Sequence, residues 1–231
     1  FHTDALMAED ADWVLERCAK HRERPFFLAV GFYRPHTPYI APQGYFERHD
    51  RAKMPVVTEV AEDQADLPGP ALGSAKKEQN GLTSEKQQEI IQAYFASISF
   101  MDAQVGRVLD SLEKHGLAEE TVVVMTSDHG YHLGEHGLWQ KMSLFEESAR
   151  VPLIIAAPGI SVEGSAVTAP VGLIDVAPTL LELAGVPGPD NLQGQSLVPM
   201  LKDATAQGRG WALSQVSRGG GKNAAPFYGY T

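Results

Sequence analysis

An α/β protein, with a mostly parallel central sheet flanked by helices, is the fold class this sequence predicts. Two observations predict it. The short apolar runs "PFFLAVG" (25–31), "TVVVMTSD" (121–128) and "VPLIIAAPG" (151–159) each have the length and composition of a buried strand. Around them lie segments with apolar residues three and four apart, so strands alternate with helices, as in a sheet covered on both faces.

In chain order, residues 4–20 carry Leu6, Ala11, Val14, Leu15 and Cys18 at helical spacing, with Asp4 as the expected N-cap. Cys18 falls on the apolar face and is assigned to the core. The strand expected at 25–31 runs into "YRPHTPYIAPQGYF" (33–46), where three prolines predict a stiff, irregular loop. Residues 50–84 are polar around Pro68, Gly69 and Pro70 and predict an exposed excursion. A long helix is expected over 84–115, capped by Ser84, with Ile91, Tyr94, Phe95, Ile98 and Val105 on its apolar side and Gly116 as its stop. The second and third strands follow, separated by a short helix at 143–150. A further helix spans 174–185 and ends at glycine, and "RGGGKNAAPFYGY" (218–230) reads as a loop leading to an element beyond it.

Bulk properties narrow the function. A net charge of −10 argues against a nucleic-acid partner, although a local cationic pocket can still receive an anion. No run has the apolar length of a membrane span. The single cysteine excludes an internal disulfide and a multi-cysteine metal site. Neither an initiator methionine nor a signal peptide stands in "FHTDALMAED", so the chain is expected to be a portion cut at both ends.

Chemistry gathers just past the expected strands, the edge where such sheets bind ligands. Asp128 and His129 follow "VVVMTS", and Arg34 and His36 follow "FFLAVGFY". Asp128 and His129 offer an oxygen and a nitrogen to a hard divalent cation, or they cap and brace their own loop. Tyr131 and His132 come directly after that pair and are candidate substrate neighbours. Glu135 and His136 are assigned to a glycine-supported turn, and Trp139 either packs the loop down or offers an aromatic wall to a sugar ring. His2, His21, His49 and His115 stand in polar surroundings and are expected to be solvated, and Arg150 to pair with Glu146 or Glu147.

The segments "PFFLAVGFYRPHTPY", "TVVVMTSDHGYHLGEHGLWQK", "RVPLIIAAPG", "YFASISFMDAQVGRVLDSL" and "LIDVAPTLLELAGV", in this order, resemble the sulfatase family. The likeness is strongest to its iduronate-2-sulfatase-like branch. It implies an alkaline-phosphatase-like sandwich holding one calcium ion (Ca2+), and a formylglycine nucleophile made from a cysteine in a C-x-P-S-R-type motif. By the same likeness Asp128 and His129 match a pair of metal ligands. Lys141 of "GLWQK" matches the lysine on the sulfate group, and His36 of "RPH" the histidine beside the leaving oxygen. Arg34 stands where the branch often has a basic residue, and either holds an anionic sugar or is solvated.

The family's first metal pair, Asp–Asp, and the C-x-P-S-R motif do not occur here; "CAKHR" (18–22) has Lys20 at the proline position. The resemblance therefore implies that residues 1–211 are the C-terminal portion of a sulfatase core lacking its nucleophile segment, inactive alone. Residues 212–231 would begin the connection to a further subdomain. The implied substrate is a sulfated small molecule or carbohydrate, and the implied setting is periplasmic, secreted or lysosomal. Two alternatives remain open: a phosphate or phosphonate ester hydrolase of the same superfamily, and a non-catalytic carbohydrate-binding descendant.

Overall fold

The computed structural model describes residues 2–218 and 227–230. They divide into two compact units, one built mainly from residues 1–62 and 77–120, the other from 63–76, 121–132 and 138–231.

Helix α1 (Thr3–Ala19) and the long helix α4 (Ser84–Lys114) form the first unit's core. Ala8, Ala11 and Leu15 recur along one face of α1 and are buried, the stripe that makes a helix pack. Arg107 bonds the Ala5 carbonyl and Lys114 the Asp12 carboxylate, so the two helices run parallel. The intervening chain must therefore return, and it does so along α4 through the single turn α2 (Gln43–Phe46). Three α4 glutamines hold that return in place: Gln92 bonds the carbonyls of Phe46 and His49, Gln88 that of Met54, and Gln87 accepts the Val57 amide. These amides satisfy backbone groups that no sheet or helix provides for. Helix α3 (Val60–Asp63) and scattered 3-10 turns make up the polar excursion.

Several local expectations change. The α1 N-cap is His2, not Asp4; Asp4 is buried in the first turn, its carboxylate bonded to the amides of Tyr33 and Arg34. Thr83, one residue before Ser84, caps α4 by accepting the Lys86 amide. Gly116 does stop α4, at φ +67, with Leu117 N–H returning to the Leu112 carbonyl and Arg22 covering the last carbonyls. Cys18 is half-buried rather than in the core. His115 is not solvated but sits on Asp12, its side chain 12% exposed, and His49 bonds the Ser99 hydroxyl beside Phe95.

Residues 26–33 alternate half-buried and exposed, the period of an extended chain, with Phe27 82% exposed. They make no ladder with another strand among the described residues, which is why the strand expected there is not formed.

The second unit contains β1 (Val123–Thr126) and β2 (Leu153–Ala156), paired with Val123 opposite Ala156 and Thr126 opposite Leu153. This pair is antiparallel, not parallel. The connection between them, residues 127–152, carries the short α5 (Glu146–Ala149). Arg150 pairs with Glu146 at 3.7 Å on the surface.

Helix α6 (Val176–Leu183) and the short α7 (Val198–Lys202) are joined through Asp175. Its carboxylate accepts the amides of Gly172 and Gln195, each at 2.8 Å, and pairs with Arg209. Thr179, fully buried, donates to the Asp175 carbonyl and accepts the Leu197 amide.

Strands β3 (Gln215–Arg218) and β4 (Phe227–Tyr230) pair antiparallel, so the last part of the stretch expected as loop is strand. The glycine cluster between them lies outside the described residues.

Candidate active site

Strand β1 delivers Asp128 and His129 onto a ledge held by backbone rather than by side-chain packing. The Gly130 amide donates to the Ser148 carbonyl at 2.8 Å, seating the turn on α5. A Cβ at Gly130 would lie 2.1 Å from the Glu147 carbonyl oxygen, so only glycine allows this approach. Ser127 adds a hydroxyl bond to the His129 carbonyl at 2.9 Å.

The His129 Nδ1 lies 2.8 Å from the Gly130 carbonyl, an acceptor, so Nδ1 carries the hydrogen. The neutral ring then keeps its lone pair on Nε2, 3.7 Å from Asp128 Oδ2. The Asp128 side chain is 86% exposed and that of His129 36% exposed. An accessible carboxylate beside an imidazole nitrogen whose other N–H is held by a carbonyl is a donor arrangement that suits a metal ion. Among the described residues no group of three or more His, Cys, Asp or Glu is placed to complete a coordination shell.

The loop after the ledge is tied at its neck. His132 N–H donates to the Gln140 carbonyl at 3.0 Å, and its Nε2 meets the Ser143 hydroxyl at 2.8 Å. Its ring stands edge-on to Phe145 and is fully buried. His132 thus closes the loop from inside, a different place from the pocket-lining one its position in the sequence suggested. Tyr131 is half-buried. Lys141 follows the tie directly; it is half-buried and makes no hydrogen bond or ion pair among the described residues. Leu138 and Trp139 are buried, which fits Trp139 to packing. Residues 133–137 fold on themselves: Glu135 accepts the Leu133 amide at 2.6 Å, and His136 takes a left-handed φ of 55. Both serve the loop's shape.

Arg34 and His36 belong to the first unit. The Arg34 guanidinium donates through Nη1 to the carbonyls of His36 and Pro38, each at 2.8 Å. The His36 amide returns to the Tyr33 carbonyl at 2.9 Å, and His36 Nδ1 sits 2.7 Å from the Thr37 carbonyl. His36 is exposed, and by the same reasoning Nε2 is its exchangeable position.

Comparison with known proteins decides the family. The sulfatase family model matches residues 1–186. The chain belongs to the sulfatase family. A sulfatase from Formosa agariphila is 37% identical over 207 residues, covering 87% of this chain and 41% of that protein. Human iduronate 2-sulfatase is 37% identical over 169 residues, 68% of this chain and 30% of the relative. Among solved structures, the phosphonate monoester hydrolase of Silicibacter pomeroyi superposes with a TM-score of 0.77 at 30% identity, over 90% of this chain and 43% of that one. The alkaline-phosphatase-like α/β fold follows from these likenesses. The chain thus spans less than half the length of these sulfatase relatives.

Two supporting residues, Ser148 in the second unit and Asp4 in the first, are marked by no motif. Ser148 acts through its carbonyl, which any residue possesses. Asp4 is remote in sequence from the loop it touches. For Asp4 the available sign was an acid aligned with a buried helical stripe, where an unpartnered carboxylate is costly.

Proposed function

We propose that the full-length sulfatase carrying this chain hydrolyses sulfate esters, with sulfated carbohydrates as the substrate class. The observation that carries this reading is the Asp128–His129 ledge, with its carboxylate exposed and its tautomer set by Gly130, followed across a tied loop by the uncommitted Lys141. Asp128 and His129 would hold a divalent cation, calcium by family resemblance, whose positive charge would bear on the sulfate oxygens. Lys141 adds an ammonium to the same task, offsetting charge that builds on those oxygens in the transition state. His36 donates a proton from Nε2 to the departing alcohol oxygen, leaving a neutral ring whose Nδ1–H still holds the Thr37 carbonyl.

The nucleophile implied by the family is a formylglycine, which would supply the attacking oxygen. No C-x-P-S-R motif for it occurs in the 231 residues, and Cys18 sits on α1. It would come from elsewhere in the full-length protein, to which residues 1–211 contribute the C-terminal part of the core and 212–231 the start of a further subdomain. Iduronate 2-sulfatase is named for a sulfated sugar, which favours a carbohydrate here. The reading extends to a periplasmic, secreted or lysosomal setting; no helix among the described residues is long and apolar enough to cross a membrane.

Phosphonate monoester hydrolysis is the second reading, favoured by the superposition on the Silicibacter enzyme. The test assays full-length protein with 4-nitrophenyl sulfate, 4-nitrophenyl phosphate and a 4-nitrophenyl phosphonate, with and without a calcium chelator. Sulfate turnover that falls on chelation is expected. Phosphonate turnover well above sulfate turnover would transfer the assignment to the second reading, and turnover of none would favour a binding protein.

A further inference from the structure

Asp4 is 2% exposed, yet it does not cap the helix it begins. Its two carboxylate oxygens reach out of α1 and accept consecutive backbone amides, Tyr33 at 2.9 Å and Arg34 at 3.0 Å. A buried carboxylate is costly unless its lone pairs are met, and bonds to an ionised acceptor are the stronger kind. Such an acid fixes the backbone it binds rather more firmly than a neutral loop contact could.

That backbone leads straight to His36. The Tyr33 carbonyl accepts the His36 amide, so the residue whose N–H is bound by Asp4 also closes the turn carrying the imidazole. Arg34, held by the second oxygen, clasps the carbonyls of His36 and Pro38 with its guanidinium. The His36 Nδ1 rests on the Thr37 carbonyl inside that clasp. The His36 backbone is therefore held at both its N–H and its carbonyl by the two residues that the buried carboxylate on α1 binds. Tyr33, by contrast, is 66% exposed, so side-chain packing of that residue does not hold the turn.

We infer that Asp4 is the positioning residue for the His36 imidazole, acting through the amides of Tyr33 and Arg34 to aim Nε2 at the leaving oxygen. The inference rests on the leaving-group role given to His36 above. Asp4 itself touches no substrate.

Asparagine at position 4 keeps the shape but presents an N–H to one of the two amides, opening one arm of the strap. A misaimed acid matters in proportion to how much the leaving oxygen needs a proton. 4-Nitrophenolate leaves unaided, whereas phenolate needs help.

The experiment compares full-length wild type, Asp4→Asn, His36→Ala and the double variant on 4-nitrophenyl sulfate and phenyl sulfate. Asp4→Asn should lower kcat for phenyl sulfate by roughly tenfold and for 4-nitrophenyl sulfate by less than about threefold. His36→Ala should show the same preference at roughly a hundredfold, and the double variant should be no slower than His36→Ala. Equal losses on both esters in Asp4→Asn, or losses that multiply in the double variant, would overturn the positioning role while leaving His36 in place. A His36→Ala protein that treats the two esters alike would instead remove the His36 assignment, and this inference with it. Should Asp4→Asn not fold, Arg34→Lys opens the same strap at its other end without disturbing the buried acid. The same selective loss is expected of it, and an equal loss on both esters counts against the strap.

Discussion

His129 Nε2 faces Asp128 Oδ2 at 3.7 Å, while Nδ1 of the same ring is held at 2.8 Å by the carbonyl of Gly130. The second contact gives the first its meaning. With the hydrogen fixed on Nδ1, the lone pair and the carboxylate converge on one small region of solvent. An exposed carboxylate and a half-buried imidazole are not kept together by their own attraction alone, which water and salt screen. The backbone of the turn keeps them together.

Calcium should therefore stabilise the full-length protein through this pair. Ligand present at a hundred times its Kd adds about 2.7 kcal/mol to a folded state that alone binds it. The melting temperature should rise with calcium, fall back with chelator, and respond much less in Asp128→Asn or His129→Ala. Variants with an undiminished calcium response would place the ion elsewhere.

Gly130→Ala should unseat the ledge. The new methyl carbon would lie 2.1 Å from the Glu147 carbonyl oxygen and 3.0 Å from that of Arg150, both backbone atoms that cannot swing aside. Overpacking of this kind costs about 1–3 kcal/mol, read as a lower urea midpoint. Gly44→Ala is the control: its Cβ meets open space in α2, so the change should be neutral or gain roughly 0.5–1 kcal/mol. Equal effects at the two glycines would remove the steric account.

The α/β class and the family were legible in the sequence because they rest on local patterns: apolar runs of strand length, helical spacing, and motifs such as "SDHGYHLGEHGLWQK". The long helix ended where Gly116 said it would, since a left-handed stop needs glycine. What stayed illegible depends on partners distant in the chain. Nothing near Asp4 shows that its carboxylate will serve Tyr33 and Arg34, and the same acid at a helix start reads as a cap. Direction of pairing was hidden as well: β1 and β2 have compositions that suit either sense, and neither run marks the antiparallel register that sets Val123 against Ala156. His132 shows a third case. Its place beside the ledge suggested a pocket wall, but whether a side chain turns out or in depends on Ser143 and Phe145.

Asp175 and Arg209 should be the costliest polar residues to alter in the second unit. Burial opposes ionisation of Asp175, yet the amides of Gly172 and Gln195, with Arg209 beside them, hold its carboxyl below the ordinary value of 3.8. Removing one partner leaves the other buried without its counter-charge, which costs about 3–5 kcal/mol. Asp175→Asn and Arg209→Met should each lower the urea midpoint accordingly, and the double variant should lose much less than the sum. Losses that simply add would show the two residues acting separately.

Asp12 should shape the acid limb of stability. His115 bonds its Oδ1 at 2.9 Å and Lys114 its Oδ2 at 3.1 Å. Together with Ser111 they bring its carboxyl down from 3.8 to about 2, the His115 bond being the largest cause. A depressed folded-state value means that the unfolded chain takes up the proton first as pH falls. The contribution of Asp12 is thus complete above 3.8 and disappears as pH drops toward about 2. Asp12→Asn should lower stability at neutral pH and flatten its decline across that window, as measured by urea unfolding at a series of pH values. The difference between wild type and variant should also narrow in high salt, because Lys114 and Asp12 meet at a solvated surface, with side chains 63% and 37% exposed. A variant whose acid limb runs parallel to wild type would show that the Asp12–His115 contact has no bearing on folding.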